Sequence, residues 1–165
     1  MLYLKRLSLE DNEEIYDMLQ EIDANDNGFG NSVNGMTYSE FLNWVKQQYD
    51  YDRGINMPDW MVPQSSFWLY DSEKVIGSGR LRHCLNDFLE KESGHIGYAI
   101  RKTERGKGYG NKILELLIDE CRKMKINPVQ ISANIDNEYS NKVILCNGGV
   151  LIRESDGKNF YHVVL

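Results

Sequence analysis

The sequence has little of what would commit it to several large classes of protein. Its three cysteines, Cys84, Cys121 and Cys146, lie far apart and are odd in number. They supply neither a disulfide framework nor the paired C-x-x-C spacing of a zinc site. Free thiols, buried or half-buried, are therefore the expectation, with no metal site. His83 precedes Cys84, but adjacent strand residues face opposite sides of a sheet, so the pair is not a nucleophile with its base. No apolar run approaches the roughly 20 residues needed to span a bilayer, so no membrane is expected as a partner. The start, Met1-Leu2-Tyr3-Leu4-Lys5-Arg6-Leu7, alternates like a strand and lacks the layout of a signal peptide, which favours a cytoplasmic protein. Positive charge is also short. The formal net charge is −6, which argues against a nucleic-acid partner, whereas a cationic amine would be mildly attracted.

What is present fits one globular domain over residues 1–165. The 165 residues are 41% hydrophobic and 27% charged, enough for a single substantial core. Residues 2 to 7 read as a strand. Ser8 and Asp11 stand as a capping box for a helix whose buried stripe is Ile15, Met18, Leu19 and Ile22. Glycines and asparagines between Asn25 and Met36 stop that helix, and Thr37 with Glu40 caps the next. An irregular stretch from Asp50 to Ser66 holds Trp60 between Pro58 and Pro63. Phe67 to Tyr70 and Val75 to Leu85 read as strands, followed by a charged loop through Glu90-Lys91-Glu92. His95 to Ile100 is a further strand.

A glycine-rich turn then opens a helix, which Pro128 closes off. Val129 to Ala133 is a strand, Asp136 or Asn137 caps a short helix ended by Gly148 and Gly149, and Asp156-Gly157 marks a final hairpin. The order β-α-α-β-β-β-α-β-α-β-β makes an α/β domain with a mixed, largely antiparallel sheet.

The turn Arg105-Gly106-Lys107-Gly108-Tyr109-Gly110 carries the chemistry. Its glycines let the backbone turn tightly and aim successive N–H groups at an anion. The helix beside it adds unpaired N–H groups and a partial positive charge. Together these suit a diphosphate, with Arg105 and Lys107 adding charge at the rim. A P-loop is excluded because no Gly-Lys-Ser/Thr occurs, and the glycine spacing is wrong for a dinucleotide fold. A glycine-rich connection without a ligand has the same local sequence.

Gly97 to Gly110 as a whole resembles the acyl-CoA-binding motif of the GNAT N-acetyltransferase superfamily, Arg/Gln-x-x-Gly-x-Gly/Ala, with Arg105, Gly108 and Gly110 in its defining places. Asn137-x-x-Ser140 and Val143 to Gly149 look like the family's second block, and Arg80 to His83 with Gly94 to Tyr98 look like a poorly characterised bacterial subgroup. The resemblance implies two splayed central strands flanked by helices, with acetyl-CoA as cosubstrate and an amine as acceptor, on a small molecule or a peptide. A catalytically impaired acyl-CoA sensor is the non-enzymatic alternative, and a homodimer is compatible with the family.

The same resemblance implies that pantetheine pairs with the strand backbone at Tyr98 and Ile100, with Ala99 between them in the cofactor site, and that the Tyr98 N–H holds the thioester oxygen. It implies that Asn134, Asn137 and Ser140 line the other wall, although capping accounts equally for Asn137 and Ser140. The loop from Asn25 to Met36 and the Trp60 segment are expected on the acceptor side. Two family positions depart: the usual acidic tyrosine is Ile144, and a glutamate early in the strand aligns near Gly94. His95, Glu92, His83 and Tyr98 remain as candidate proton handlers, with water as the other acceptor.

Overall fold

The computed structural model describes residues 1–165. Its first sheet joins β1 (Leu2–Arg6), β4 (Gln64–Asp71), β5 (Lys74–Arg82) and β6 (Ile96–Ile100), in the order β1-β4-β5-β6. A second sheet holds β7 (Val129–Asn134), β9 (Lys158–Val163) and β8 (Val150–Ser155), in the order β7-β9-β8. All pairings within both sheets are antiparallel. The helix α4 (Tyr109–Lys123) connects β6 to β7, and those two strands run side by side in the same sense.

Strand β4 explains the layering. Phe67 and Leu69 face a core shared with Ile113, Leu114 and Leu117 of α4 and with Val143 and Ile144 of α5 (Glu138–Cys146). Trp68 and Tyr70, one residue out of phase, face a second core. That core holds Ile15, Met18 and Leu19 of α1 (Glu13–Gln20), with Phe41 and Val45 of α2 (Tyr38–Asp52). A strand covered on both faces reads as a continuous apolar run, as β4 does. No helix is long and apolar enough to cross a membrane.

Several elements differ from the sequence expectation. Helix α1 begins at Glu13 under an Asn12 cap. Ser8 and Asp11 instead close the turn before it, where the Ser8 N–H donates to Asp11 Oδ2 at 3.0 Å. Asp11 is consumed further inside, accepting from Trp68 Nε1 at 2.8 Å. The stretch beyond Asn25 is a small hairpin, β2 (Asn25–Asp26) and β3 (Phe29–Gly30), about Asn27 and Gly28, both at positive φ. Asn-Gly is the strongest short hairpin signal. The charged loop contains the short helix α3 (Asp87–Glu92), where Asn86 Oδ1 accepts from the Leu89 N–H. Of the thiols, Cys121 is buried, but Cys84 and Cys146 are exposed.

The two sheets share a core, but their backbones are hydrogen-bonded to each other at one place. The His95 N–H donates to the Gln130 carbonyl at 2.7 Å, and the Gln130 N–H donates back to His95 Nδ1 at 2.9 Å. Gln130 Nε2 also donates to the carbonyls of Glu90 and Ser93. Gly94 sits at the closest approach, because a Cβ there would lie 2.4 Å from the Gln130 carbonyl oxygen. A side chain at Gly94, near which the resemblance places a glutamate, is therefore sterically excluded. Beyond the contact β6 and β7 separate.

Two outcomes follow from this contact. Replacing Gly94 by alanine should cost about 1–3 kcal/mol in chemical denaturation, the range for overpacking against fixed atoms. Gly30→Ala, where nothing lies within 4 Å, should stay within about 0.5 kcal/mol; equal midpoints for the two variants would contradict the close contact. His95 provides the second. Burial, then the charge of Arg82 and the nearby His162, bring its pKa down to about 4 from 6.5. Folding therefore favours the neutral ring, and its contribution is complete above pH 6.5 and lost as pH falls towards 4. Stability of the wild type relative to His95→Gln should decline through that window. A pH-independent difference would rule the linkage out.

Candidate functional site

The alternation of β5 and β6 decides which backbone groups are free. Arg82 donates its N–H to His95, and Arg101 donates its N–H to Ile76. In an antiparallel pair the bonded positions alternate, so Gly97 and Ala99 also turn their polar groups towards β5. Tyr98, opposite Gly79, and Ile100, opposite Gly77, turn theirs towards the gap before β7. The Tyr98 and Ile100 N–H groups meet no partner across it. Ala99, between them, lines the cavity while turning its polar groups to β5.

The gap opens into a cavity of about 420 Å³. At one end lies the turn from Arg105 to Gly110. Gly106 and Gly108 hold φ of +78° and +83°, with open space where a side chain would be. Gly108 caps α4, and the N–H groups of Gly106, Lys107, Gly108, Tyr109 and Gly110 donate to nothing within the chain. Five successive free amides at a helix start form an anion cradle.

The cationic side chains of the turn are engaged elsewhere. Arg105 pairs with Asp26 at 3.1 Å and donates to the Ile100 carbonyl. Lys107 pairs with Glu104 at 2.6 Å, and Lys74 pairs with the same carboxylate. Hydrogen bonds from Lys107 and Lys74 pull the Glu104 pKa down to about 2. Each rim cation is thus ion-paired, but Lys107 and Lys74 share the one Glu104 carboxylate, so one positive charge is left over. The free amides of the turn add to it.

Asn134, Asn137 and Ser140 line the opposite wall. Asn137 Oδ1 accepts the Ser140 N–H at 3.2 Å, and its Nδ2 donates to Ser140 Oγ at 3.0 Å. Asn137 therefore caps α5 through the Ser140 N–H while both residues line the cavity. Tyr139, which the sequence did not single out, folds over the turn. A Cβ on Gly110 would lie 2.9 Å from its ring, so the third glycine of the motif makes room for it. Ile144 is also a wall residue and is buried, so the position expected to differ from the family's tyrosine offers no ionisable group.

The candidate proton handlers separate. Tyr98 lines the cavity with a buried hydroxyl that lacks a hydrogen-bond partner, and burial pushes its pKa up to about 12. It stays a protonated phenol at any physiological pH. His95 lies outside the cavity lining, with Nδ1 committed to Gln130. Glu92, the last residue of α3, also lies outside it, and its backbone carbonyl accepts from Lys158. His83 belongs to another network, 2.7 Å from Ser65 Oγ, which in turn donates to Asp52. Burial opposes ionisation of Asp52, but hydrogen bonds from His83, Arg6 and Ser65 outweigh it and hold the pKa well below the carboxylate range.

On the far side of the sheet the cavity reaches Arg80, Arg82, Phe29 and Ser93. Asp26 to Phe29 of the expected acceptor loop are present there. Trp60 is not: it is 74% exposed and lies outside the lining.

Comparison with known proteins agrees with this architecture. A search of the curated proteins finds no match. Among solved structures, the ribosomal-protein alpha-N-acetyltransferase RimL, solved with coenzyme A, superposes with a TM-score of 0.73 at 16% identity, covering 99% of this chain and 94% of that one. The microcin self-immunity acetyltransferase MccE, solved with acetyl-CoA and AMP, gives 0.71 at 18% identity, with 99% and 92% covered. The N-acetyltransferase PseH of Campylobacter jejuni, solved with acetyl-CoA, gives 0.64 at 14% identity, with 99% of both covered. These likenesses are of fold. The family model for the acetyltransferase (GNAT) domain matches residues 1–150, and the chain belongs to that family.

Proposed function

We propose that the chain transfers an acetyl group from acetyl-CoA to the primary amine of a small molecule. The observation that carries the reading is a single cavity bordered by two sets of unsatisfied backbone donors. The N–H groups of Tyr98 and Ile100 lie along one wall, and those of Gly106 to Gly110 lie at its end. The first set matches the amides of a pantetheine arm added to the strand edge, as an extra strand would add. The second matches the diphosphate.

The chemistry asks little of the side chains. The amine nitrogen attacks the thioester carbonyl carbon, the C–S bond breaks, and sulfur leaves with the electron pair. The Tyr98 N–H is the donor for oxygen charge developing in the transition state. Its phenol, protonated and unpartnered, is the candidate that passes a proton to sulfur and regains one from the water that takes the amine proton. No carboxylate in the lining is free to act as base, because Asp26 and Glu104 are both ion-paired. Water is therefore the acceptor of the amine proton.

The MccE and PseH likenesses support a small-molecule amine. The RimL likeness supports the alternative of a protein N-terminus.

The turn supplies the test. Gly108→Val should weaken acetyl-CoA binding by about 100-fold or more in calorimetry, by filling the cradle and straining a left-handed residue. Gly157→Val is the control, since Gly157 also has positive φ and open surroundings but lies in the β8–β9 turn. It should bind normally. Unchanged binding by Gly108→Val would exclude the cradle as the diphosphate site.

A further inference from the structure

The two faces of the first sheet have opposite character where β6 leaves β7. Tyr98 and its partner Gly79 face α4, and a Cβ on Gly79 would meet Leu117 there at 2.9 Å. Arg80 and its partner Gly97 face the other way, towards Phe29, whose ring would lie 3.3 Å from a Cβ on Gly97. Arg82, two residues along, shares the Arg80 face. The cavity passes between β6 and β7, reaching the anion-cradle turn from one face and the two arginines from the other. Gly97 precedes Ile100 by three strand residues, so Arg80 lies roughly 10 Å along the strand from the end that feeds the turn.

These arginines differ from most others in the chain. Arg6, Arg53, Arg101, Arg105 and Arg122 each pair with a carboxylate. Arg80 and Arg82 pair with none. Arg80 donates one Nη2 bond to the Gly30 carbonyl at 2.8 Å and lies over the Phe29 ring. Arg82 donates from Nη1 to Ser93 Oγ and the Gly94 carbonyl. A guanidinium has five N–H donors, so both keep some unused. Burial, with Arg82 as the second cause, brings the Arg80 pKa down to about 10, so the group stays charged at neutral pH at a cost in desolvation. Both carboxylates of the lining, Asp26 and Glu104, are already paired. The chain is acidic as a whole, yet this end of its cavity holds two uncompensated positive charges.

Resting on the acetyl-transfer reading, we infer that the acceptor is an amine bearing a compact anionic group, carboxylate or phosphate, which Arg80 and Arg82 grip so that its amine points back towards Tyr98. A planar guanidinium matches either oxyanion with two parallel hydrogen bonds. An unbalanced pair of arginines supplies the selectivity against neutral amines that an apolar pocket lacks.

The test uses the full chain and matched amines: an aminocarboxylate with its amide, and an aminoalkyl phosphate with its aminoalcohol. Release of free CoA gives kcat/KM for each. The anionic member of at least one pair should exceed its twin by about tenfold or more, and the favoured pair distinguishes carboxylate from phosphate. Arg80→Gln should erase that gap mainly through KM, leaving the neutral twin within about twofold and acetyl-CoA affinity unchanged. Equal rates for both twins, or a variant that slows both alike, would overturn the proposal.

If no amine is turned over, calorimetry on the CoA-loaded protein decides. Anionic amines that bind wild type but not Arg80→Gln keep the anion site and reject acetyl transfer; no anion binding at all rejects the site. Should Arg80→Gln fail to fold, inorganic phosphate replaces it as a probe of the wild type. Competition with the acceptor but not with acetyl-CoA upholds the site, and no inhibition sinks it.

Discussion

The reciprocal contact between His95 and Gln130 sets where the two sheets stop touching, and the site exists because they stop there. One backbone bond and one ring-nitrogen bond hold β6 to β7, and Gly94 permits the approach. Gln130, itself buried, fastens the same point to α3 through the carbonyls of Glu90 and Ser93. Past this point both strands present edges with unmet hydrogen bonds, which inside a protein is costly unless something fills the gap. A flexible chain carrying amides is the ligand that such a gap suits.

Electrostatics then divides the cavity. At the turn, the side-chain cations are ion-paired, Arg105 with Asp26 and both Lys107 and Lys74 with Glu104. Oriented amides, which need no counter-ion, add their pull on an anion there. At the other end Arg80 and Arg82 remain unbalanced. Between them Tyr98 contributes its N–H and a phenol that burial keeps protonated. The reaction zone is thus short of bases, which suits an acyl donor reactive enough to need little activation of the amine beyond loss of its proton to water.

The local half of this was legible in the sequence. The turn from Arg105 to Gly110, the Thr37–Glu40 capping box and the Asp156-Gly157 hairpin are all short-range patterns. Each is specified by residues within a few positions of one another. Ile144, the departure from the family's tyrosine, lies in the cavity wall. The Asn27-Gly28 hairpin was readable too, but its strands are two residues each, too short for any alternation to register.

What sequence did not reveal is long-range. Asp26 cancels Arg105 across 79 residues, and Glu21 pairs with Arg101 across 80. No local pattern says which arginines will be left without an acid, so the sequence of Arg80 to His83 carries a family resemblance but not the unpaired charge of Arg80 and Arg82. His95 looked like a proton handler because histidine titrates near neutrality. Its environment moves it out of that range and its ring into a structural bond.

The most direct test of the splayed edge is amide hydrogen exchange, resolved by residue, with and without acetyl-CoA. The expected result is strong new protection at Tyr98, Ile100 and Gly106 to Gly110 together, with Ala99 unchanged because its N–H is already committed to β5. Protection of the turn without Tyr98 and Ile100, or of neither, would contradict the account.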